Sequence, residues 1–549
     1  MNKLACLLPV NKARITSATA MAARGFQGAG FRTKTTTRHP TIASEHNRIG
    51  ATWKVLLFLV IATWSSRAPA EVIAYWNSAV EAVIRNDTTM PGPTWAARNY
   101  AMVHAAMFDA VNSIQPQFRP AHVLTVDVPP GTSPEAAASA AAHGVLVLLY
   151  PAQKFFLDVA LWAALVDIPD GPSKANAAAL GAEIALRIVQ WRADDGAANQ
   201  VPYTAAPAPG VWQPTPPDFS PAWGPGWGQV RPFVLTNGAQ FRAPPPPALA
   251  SLEYTAAFNQ VKQLGVRFSS LRTADQTEIG VFWGYDRPGL GPPPILYNQM
   301  TQVIANQMGG SLLEKARLFA LANLAQIDAG IAAWETKYVY NVWRPVDGIR
   351  FASSDGNAGT QEDPAWEPLG APGGGVIPDF TPPFPAYTSG HATFGAALCR
   401  MLAHFYGSDN VAFALGSDEL PGVTRNYTNL SQADEENGIS RIYLGIHWIF
   451  DKQWGQITGR QVADYVFQHA LQPLSPPPLR LVQTGPEIEL SWPAASGEMT
   501  MEYTTQLGRP SAWLPMTNYH ADMLNGRMTM KMPAAVSAMY FRLSGPGHP

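Results

Sequence analysis

Lys337, Arg344 and Arg441 stand with Ser389, Gly390, His391 and His447 in three short segments of this 549-residue chain. The segments read KYVYNVWRP from 337 to 345, TSGH from 388 to 391, and SRIYLGIHWIFD from 440 to 451. Guanidinium groups grip oxyanions in forked pairs, and a lysine adds a compact positive charge. A serine hydroxyl and a glycine N–H add neutral donors. An imidazole takes up and releases protons near neutral pH. This inventory suits the binding of a tetrahedral oxyanion and proton chemistry on it. The third segment follows the first by about a hundred residues, so folding must assemble the site.

Local pattern suggests how each group is carried. Lys337 and Arg344 are seven apart on a helical stretch, about two turns, which predicts a shared face. Ser389, Gly390 and His391 open a helix whose later residues Phe394, Ala397, Leu398, Met401, Leu402 and Phe405 keep one apolar face. The start of a helix offers free N–H groups and the positive end of its dipole, and Gly390 lets backbone come close to a ligand. Gly445 divides Arg441 from His447, so Arg441 is expected to end one helical stretch and His447 to begin another. Asp451, four residues after His447, is expected on the same helix face. Taken singly, each cation reads as solvated surface charge, Ser389 as an ordinary helix cap and Asp451 as a surface carboxylate. Their combination is what argues for a site.

The segments follow the order Lys-x6-Arg-Pro, Pro-Ser-Gly-His and Ser-Arg-x3-Gly-x-His-x3-Asp, with Thr388 in place of the proline. In this the chain resembles the vanadium-dependent haloperoxidases, whose anion site is shared with type 2 phosphatidic acid phosphatases and bacterial non-specific acid phosphatases. FWGYDRPGLGPPPILYNQM (282–300) and PPFPAYTSGHATFGAA (382–397) extend the likeness to the chloroperoxidase branch. The likeness runs from about Glu71 to about Ala470. It implies a vanadate cofactor with His447 as the single protein ligand, surrounded by Lys337, Arg344, Ser389, Gly390 and Arg441. It implies that Asp451 orients the His447 ring, that His391 is the acid/base, and that Lys337 polarises peroxide. Asp286 would pair with the site arginines or close a turn before Pro288. Trp334 and Phe384 would line the halide side, with core packing as their other reading. The implied partners are hydrogen peroxide, a halide and an organic acceptor, and the implied product is hypohalous acid. The phosphatase relatives use the histidine at the His447 position as nucleophile. A secreted acid phosphatase is therefore the alternative enzyme, set apart by Trp334, Phe384 and the Asp286 segment. An exported binding or adhesion protein acting through its C-terminal region is the alternative of another class.

The elements that must position these groups are mostly helical. Residues 71–472 read as an all-α catalytic domain, and the resemblance implies a paired four-helix bundle. Helical spacing runs through Glu71–Arg192, including Met102, Ala105, Ala106 and Asp109, and returns at 251–264, 273–283, 297–304 and 313–334. His104 reads as a satisfied core histidine and Asp109 as a capping or paired carboxylate. Segments 201–248 and 364–385 are Pro- and Gly-rich connections. Residues 473–549 change style. SPPPLR is a linker, and Ile488, Leu490 and Trp492 alternate with polar residues, as do Met499, Met501 and Tyr503, and Met528, Met530 and Met532. That period of two predicts a small β-sandwich over 479–543.

Composition narrows the partners. Charged residues make up 14% of the chain and the net charge is −2, which leaves no basic excess for nucleic acid. Residues 1–70 read as a leader with a signal peptide. Its apolar run Val55–Trp64 is too short to span a bilayer, follows Lys54, and precedes the A-x-A-like site Ala68-Pro69-Ala70. Cleavage there would give a secreted or periplasmic protein starting at Glu71, with no stable membrane anchor. Cys6 would leave with the leader, which excludes an intrachain disulfide and leaves Cys399 as a buried packing residue.

Overall fold

A computed structural model of the protein describes residues 71–87, 92–123, 128–474, 479–493, 499–505, 513–524, 527–534 and 539–544. The leader expected over 1–70 lies outside the described residues. Thirteen α-helices are found among those described. They are α1 (Glu71–Arg85), α2 (Pro93–Ile114), α3 (Pro134–Leu149), α4 (Lys154–Leu165), α5 (Pro172–Trp191), α6 (Leu252–Leu264) and α7 (Ala274–Phe282). They continue with α8 (Pro294–Met308), α9 (Leu312–Tyr340), α10 (Pro345–Arg350), α11 (Gly390–Tyr406), α12 (Leu430–Tyr443) and α13 (Ile449–His469).

Helix α9 is the axis of the helical body. Ser311 and Glu314 start it with a reciprocal capping box. Its apolar residues fall on every side with no polar face, and such a helix is stable only when surrounded. From Leu312 to Lys337 every residue is buried except the partly buried Glu314 and Glu335. Helices α2, α11 and α13 pack around it. Gly455 and Gly459, one turn apart on α13, meet α11 directly. A Cβ at Gly459 would come within 2.2 Å of the Thr393 carbonyl oxygen. The missing side chains let the backbones of α11 and α13 approach, and these two helices carry Ser389, His391 and Asp451 at their N-terminal ends.

Two buried aspartates fasten loops to this frame. Asp109 on α2 accepts the backbone N–H groups of Ala121, His122 and Val123 at 2.7–3.0 Å. Asp328 on α9 does the same for Phe233, Val234 and Leu235 at 2.7–2.8 Å. Burial pushes the Asp109 carboxyl up to about 7, and the three N–H bonds oppose that shift. The paired-carboxylate reading of Asp109 therefore takes a specific form: its partners are main-chain donors. His104 is fully buried with Nε2 at 3.1 Å from Asn77 Oδ1, in the core as expected, but its Nδ1 has no hydrogen-bond partner among the described residues, so the ring is only half satisfied.

The long connection 201–248 wraps the end of α9. Trp212 N–H donates to the Asn341 carbonyl at 2.7 Å, and Trp343 N–H returns to Gly210 at 2.9 Å. A hairpin of β1 (Phe413–Gly416) and β2 (Thr424–Tyr427) interrupts the helical region between α11 and α12, where the sequence predicts no strand. The C-terminal strands are β3 (Arg480–Thr484), β4 (Glu487–Pro493), β5 (Thr500–Thr504), β6 (Leu514–Pro515), β7 (Asp522–Leu524), β8 (Arg527–Pro533) and β9 (Tyr540–Ser544). They form a sheet in the order β3-β4-β8-β7 and a smaller one in the order β6-β5-β9. The alternating residues Leu490, Trp492, Met501, Met530, Met532 and Leu543 share one buried apolar cluster. No helix among the described residues is long and apolar enough to cross a membrane. Cys399 is a buried free thiol.

The loop fastening yields a test. Asp328→Ala strips the partners from three N–H groups at once, each costly to leave unsatisfied in the interior. Stability is expected to fall by about 3 kcal/mol or more. A melting temperature within a degree of the parent, measured by calorimetry, would contradict this account of the loop.

Candidate oxyanion site

Lys337 lies in the last turn of α9 and is fully buried. Its Nζ donates to the carbonyls of Pro385 (2.7 Å) and Ala386 (3.1 Å), and it stands 4.9 Å from the Phe384 ring centroid. Arg344 does not share a helix face with it, contrary to the expectation from their spacing. Helix α9 ends at Tyr340, Asn341 takes a left-handed conformation (φ 52°), and Arg344 caps the start of α10 with Pro345 in the first position. Asparagine tolerates that conformation and proline suits the first helical turn, so one helix ends and another starts between the two cations. Both lie near the Phe384 ring across that turn.

Arg344 is also fully buried, and main-chain carbonyls hold its guanidinium. Nε donates to Phe384 O (2.8 Å), Nη2 to Pro382 O (3.1 Å) and Nη1 to Ile446 O (2.7 Å). Nη1 also stands 3.0 Å from His447 Nε2. An arginine can only donate, so Nε2 of His447 must accept. The proton of the neutral ring is then on Nδ1, which donates to Asp451 Oδ2 at 2.8 Å. His447 precedes α13 instead of beginning it. Trp448 is the helix cap, and Asp451 in the first turn reaches back to both Trp448 N–H (3.0 Å) and His447. The four-residue spacing brings His447 and Asp451 together through this capping arrangement.

Arg441 sits in the last turn of α12. Its Nη2 pairs with Asp286 Oδ2 at 2.6 Å, and Nη1 is 3.5 Å from Trp283 O. Its Nε is buried without a hydrogen-bond partner among the described residues. Gly445 takes φ +74° between α12 and His447 and abuts Gly265. Ser389 caps α11, with Oγ accepting the Ala392 N–H at 3.4 Å, which leaves its hydroxyl proton free to donate. The Gly390 N–H belongs to the first turn, where no intrahelical carbonyl is available. Thr388 is fully buried, and the Tyr387–Thr388 peptide is cis.

His391 donates from Nε2 to the Gly284 carbonyl at 2.9 Å, with Asp286 Oδ2 at 3.9 Å. Its own carbonyl is gripped by Asn437 Nδ2 (2.8 Å) and the Tyr297 hydroxyl (3.1 Å). Asn437 and Tyr297 carry no functional signal in the sequence. Each lies in an ordinary helical pattern, and only the fold shows that they hold the first turn of α11. The Trp334 and Phe384 rings are 5.0 Å apart. Phe384 reaches a cavity of about 240 Å³ that Asp286, Trp223, Phe380 and Pro382 also line. Trp334 stands behind Phe384, edge-on to Trp223 at 5.5 Å.

The electrostatics form a consistent set. Burial pushes the Lys337 ammonium well below its ordinary range, with Arg344 adding repulsion. Burial also brings Arg344 down to about 9. Both histidines are held well below their usual value, by burial first and then by neighbouring cations. Burial raises Asp286 to about 6 and Asp451 to about 7. Three buried cations thus converge where two buried carboxylates are the acidic partners, and a guanidinium N–H is left over. Such a pocket favours an added negative charge and disfavours a further cation. Among the described residues, no cluster of three or more His, Cys, Asp or Glu is arranged to hold a metal cation. The donor set therefore suits an oxyanion, and the His447 Nε2 lone pair, taken here by Arg344, lies among the cations.

The helical region is similar to that of known proteins. Residues 317–476 match the family described as the VCPO second helical-bundle domain. A vanadium chloroperoxidase from Curvularia inaequalis is 33% identical over 282 residues, 41% of this chain. That match spans 46% of the relative's length. The solved structure of a bacterial vanadium-dependent iodoperoxidase superposes with a TM-score of 0.64 at 25% identity, covering 75% of this chain and 99% of the other. The holo form of a bacterial vanadium-dependent chloroperoxidase shares the fold with a TM-score of 0.54 at 17% identity, covering 71% and 96% of the two chains.

The close approach at Gly445 gives a second test. A Cβ there would lie 2.4 Å from the Gly265 carbonyl oxygen, and the backbone conformation already disfavours other residues. Gly445→Ala is expected to cost about 3 kcal/mol and to disturb the spacing of Arg441 and His447. Denaturant unfolding indistinguishable from the parent would show that this crossing is not under steric constraint.

Proposed function

Because this chain is a relative of the vanadium-dependent haloperoxidases, we propose that it is a vanadate-dependent haloperoxidase, oxidising a halide with hydrogen peroxide to hypohalous acid. The observation that carries the reading is His447. Asp451 fixes its tautomer so that the Nε2 lone pair lies among buried cations, where Arg344 Nη1 holds it and would yield it to a bound oxyanion. Vanadate, when bound, supplies a Lewis acid that activates peroxide toward the halide without a change of oxidation state.

The residues divide the remaining work. His447 Nε2 is the single protein ligand, and Asp451 keeps its ring oriented. Lys337, Arg344 and Arg441 balance the negative oxygens, with Ser389 Oγ and the Gly390 N–H as neutral donors. His391 moves protons at the oxyanion face, and Asp286 holds Arg441. Lys337 also polarises an oxygen of peroxide. Phe384, with Trp334 behind it, forms the apolar side from which a weakly hydrated halide enters. An organic acceptor reacts with the oxidised halogen. The proposal extends to architecture and compartment. The helical region 71–472 is a paired bundle, residues 473–549 are a sandwich-like appendage, and the leader 1–70 is removed on export to the periplasm or beyond. Export suits a product that oxidises thiols and amines. Neither nucleic acid nor a lasting membrane anchor belongs to this scheme.

Activity is expected to require orthovanadate and to be inhibited competitively by phosphate, because both anions meet the same cations. His447→Ala should lose vanadate retention. His391→Ala should keep most of the binding and lose turnover, by about 10²–10⁴-fold. Peroxide-dependent bromination of a dione, beside equilibrium dialysis of vanadate, separates these outcomes. Equal binding by both variants would reverse the assignment. Hydrolysis of a phosphate monoester with no halide oxidation would favour the phosphatase reading. N-terminal sequencing of protein from the native host tests export: a chain starting at Glu71 is expected, and an intact leader on soluble cytoplasmic protein would refute it.

A further inference from the structure

Asp286 is the carboxylate of the site that does not sit on a helix. It lies in the connection between α7 and α8, where a loop would ordinarily be free to drift. Its neighbours are instead gripped on both sides by one short turn. Between β1 and β2, three successive residues, Ser417, Asp418 and Glu419, each take hold of this connection. Ser417 Oγ donates to the Phe282 carbonyl at 2.6 Å. The Asp418 N–H donates to the Tyr285 hydroxyl at 2.9 Å, and that hydroxyl lies 3.2 Å from Asp418 Oδ2. Glu419 Oε2 accepts from Arg287 Nε at 2.8 Å. Residues 285 and 287 are thus tied to 418 and 419, and Asp286 between them is left to face Arg441 and His391.

The quality of the ties matters. Glu419 is nearly inaccessible, with 1% of its side chain exposed, and Arg287 is 18% exposed. A buried carboxylate is costly unless paired, so the Arg287–Glu419 contact is strongly directed by geometry. Tyr285 is fully buried with φ 44°, a conformation its type rarely adopts, which shows how closely the connection is held. Arg85 of α1 backs Asp418 at 2.5 Å, so the turn is itself anchored to the helical body.

We infer that Glu419, through Arg287 and with the rest of the 417–419 turn, is the positioning residue that holds Asp286 against Arg441. It touches no substrate in this scheme, and it acts through another carboxylate. The inference rests on the proposed oxyanion site. The groups facing Asp286 are Arg441 from α12, His391 from α11, Arg344 from the cap of α10 and Glu419 itself from the hairpin. Burial is the first cause that raises Asp286, and Glu419 adds to it by like-charge repulsion. The same residue thus fixes the place of Asp286 and loads it electrostatically.

The test uses the full chain and the isosteric variant Glu419→Gln, with Asp286→Asn and the double variant beside it. Orthovanadate and inorganic phosphate binding are measured by calorimetry. Glu419→Gln is expected to weaken both by about tenfold, the lower end of what losing an outer hydrogen-bond partner of a bound centre costs. In the Asp286→Asn background the same change should add less than about twofold, because its route is already cut. Glu419→Asp, which keeps the charge, should recover part of the affinity. Additive losses in the double variant would overturn the inference in favour of general destabilisation. So would unchanged affinity in Glu419→Gln. Failure of the parent protein to bind either anion would instead strike the oxyanion reading. In that event a crystal structure of Glu419→Gln still decides the positioning claim: loss of the 2.6 Å Asp286–Arg441 contact supports it, and retention overturns it.

Discussion

Burial of three like charges within one pocket is the constraint on which the rest of this structure depends. Lys337, Arg344 and Arg441 are each at most 1% exposed. A guanidinium or ammonium removed from water must regain its hydrogen bonds, or the fold cannot hold it. Main-chain carbonyls supply most of them. Pro382, Phe384, Pro385, Ala386 and Ile446 turn their oxygens toward Lys337 and Arg344. That explains the run of prolines before Ser389. Proline has no N–H to satisfy, and the carbonyls of Pro382 and Pro385 serve Arg344 and Lys337 while that of Pro383 takes the Trp223 N–H.

The same constraint reaches outward. Carbonyls can orient cations only if their own chain is fixed, so the loops of the helical body are fastened to rigid elements. Asp109 and Asp328 tie segments 121–123 and 233–235 to the core helices, and the 417–419 turn ties the connection around Asp286. Helices α11 and α13 lie close because Gly455 and Gly459 leave no side chain between them. Through that contact the Ser389 N–H reaches the Asp451 carbonyl at 3.0 Å, which links the two helix starts that flank His447. Lys337 and Arg344 are thus held mainly by main-chain dipoles, Arg441 is paired with Asp286, and Arg344 also occupies the Nε2 of His447.

Residue types and order alone determined the inventory of this site and the helical class of the body around it. Cations, donors and imidazoles in three spaced segments point to an oxyanion whatever the fold. The period of two in Ile488, Leu490 and Trp492 likewise marks strands, because side-chain alternation is a local property of extended backbone. Tertiary structure decided what depends on turns and on distant partners. The seven-residue spacing of Lys337 and Arg344 fits a helix face, yet Asn341 ends one helix and Pro345 starts another, and both cations lie near the Phe384 ring across that turn. His447 and Asp451 pair through a helix cap that spacing alone does not distinguish from a helix face. The hairpin at 413–427 has strands of four residues, too short for alternation to announce them, and its grip on Arg287 joins positions 132 residues apart. Asn437 and Tyr297 hold His391 from helices whose sequences carry no mark of it. Local pattern is written in neighbouring residues, whereas the placing of a buried charge is settled by which distant carbonyls and carboxylates the fold brings to it.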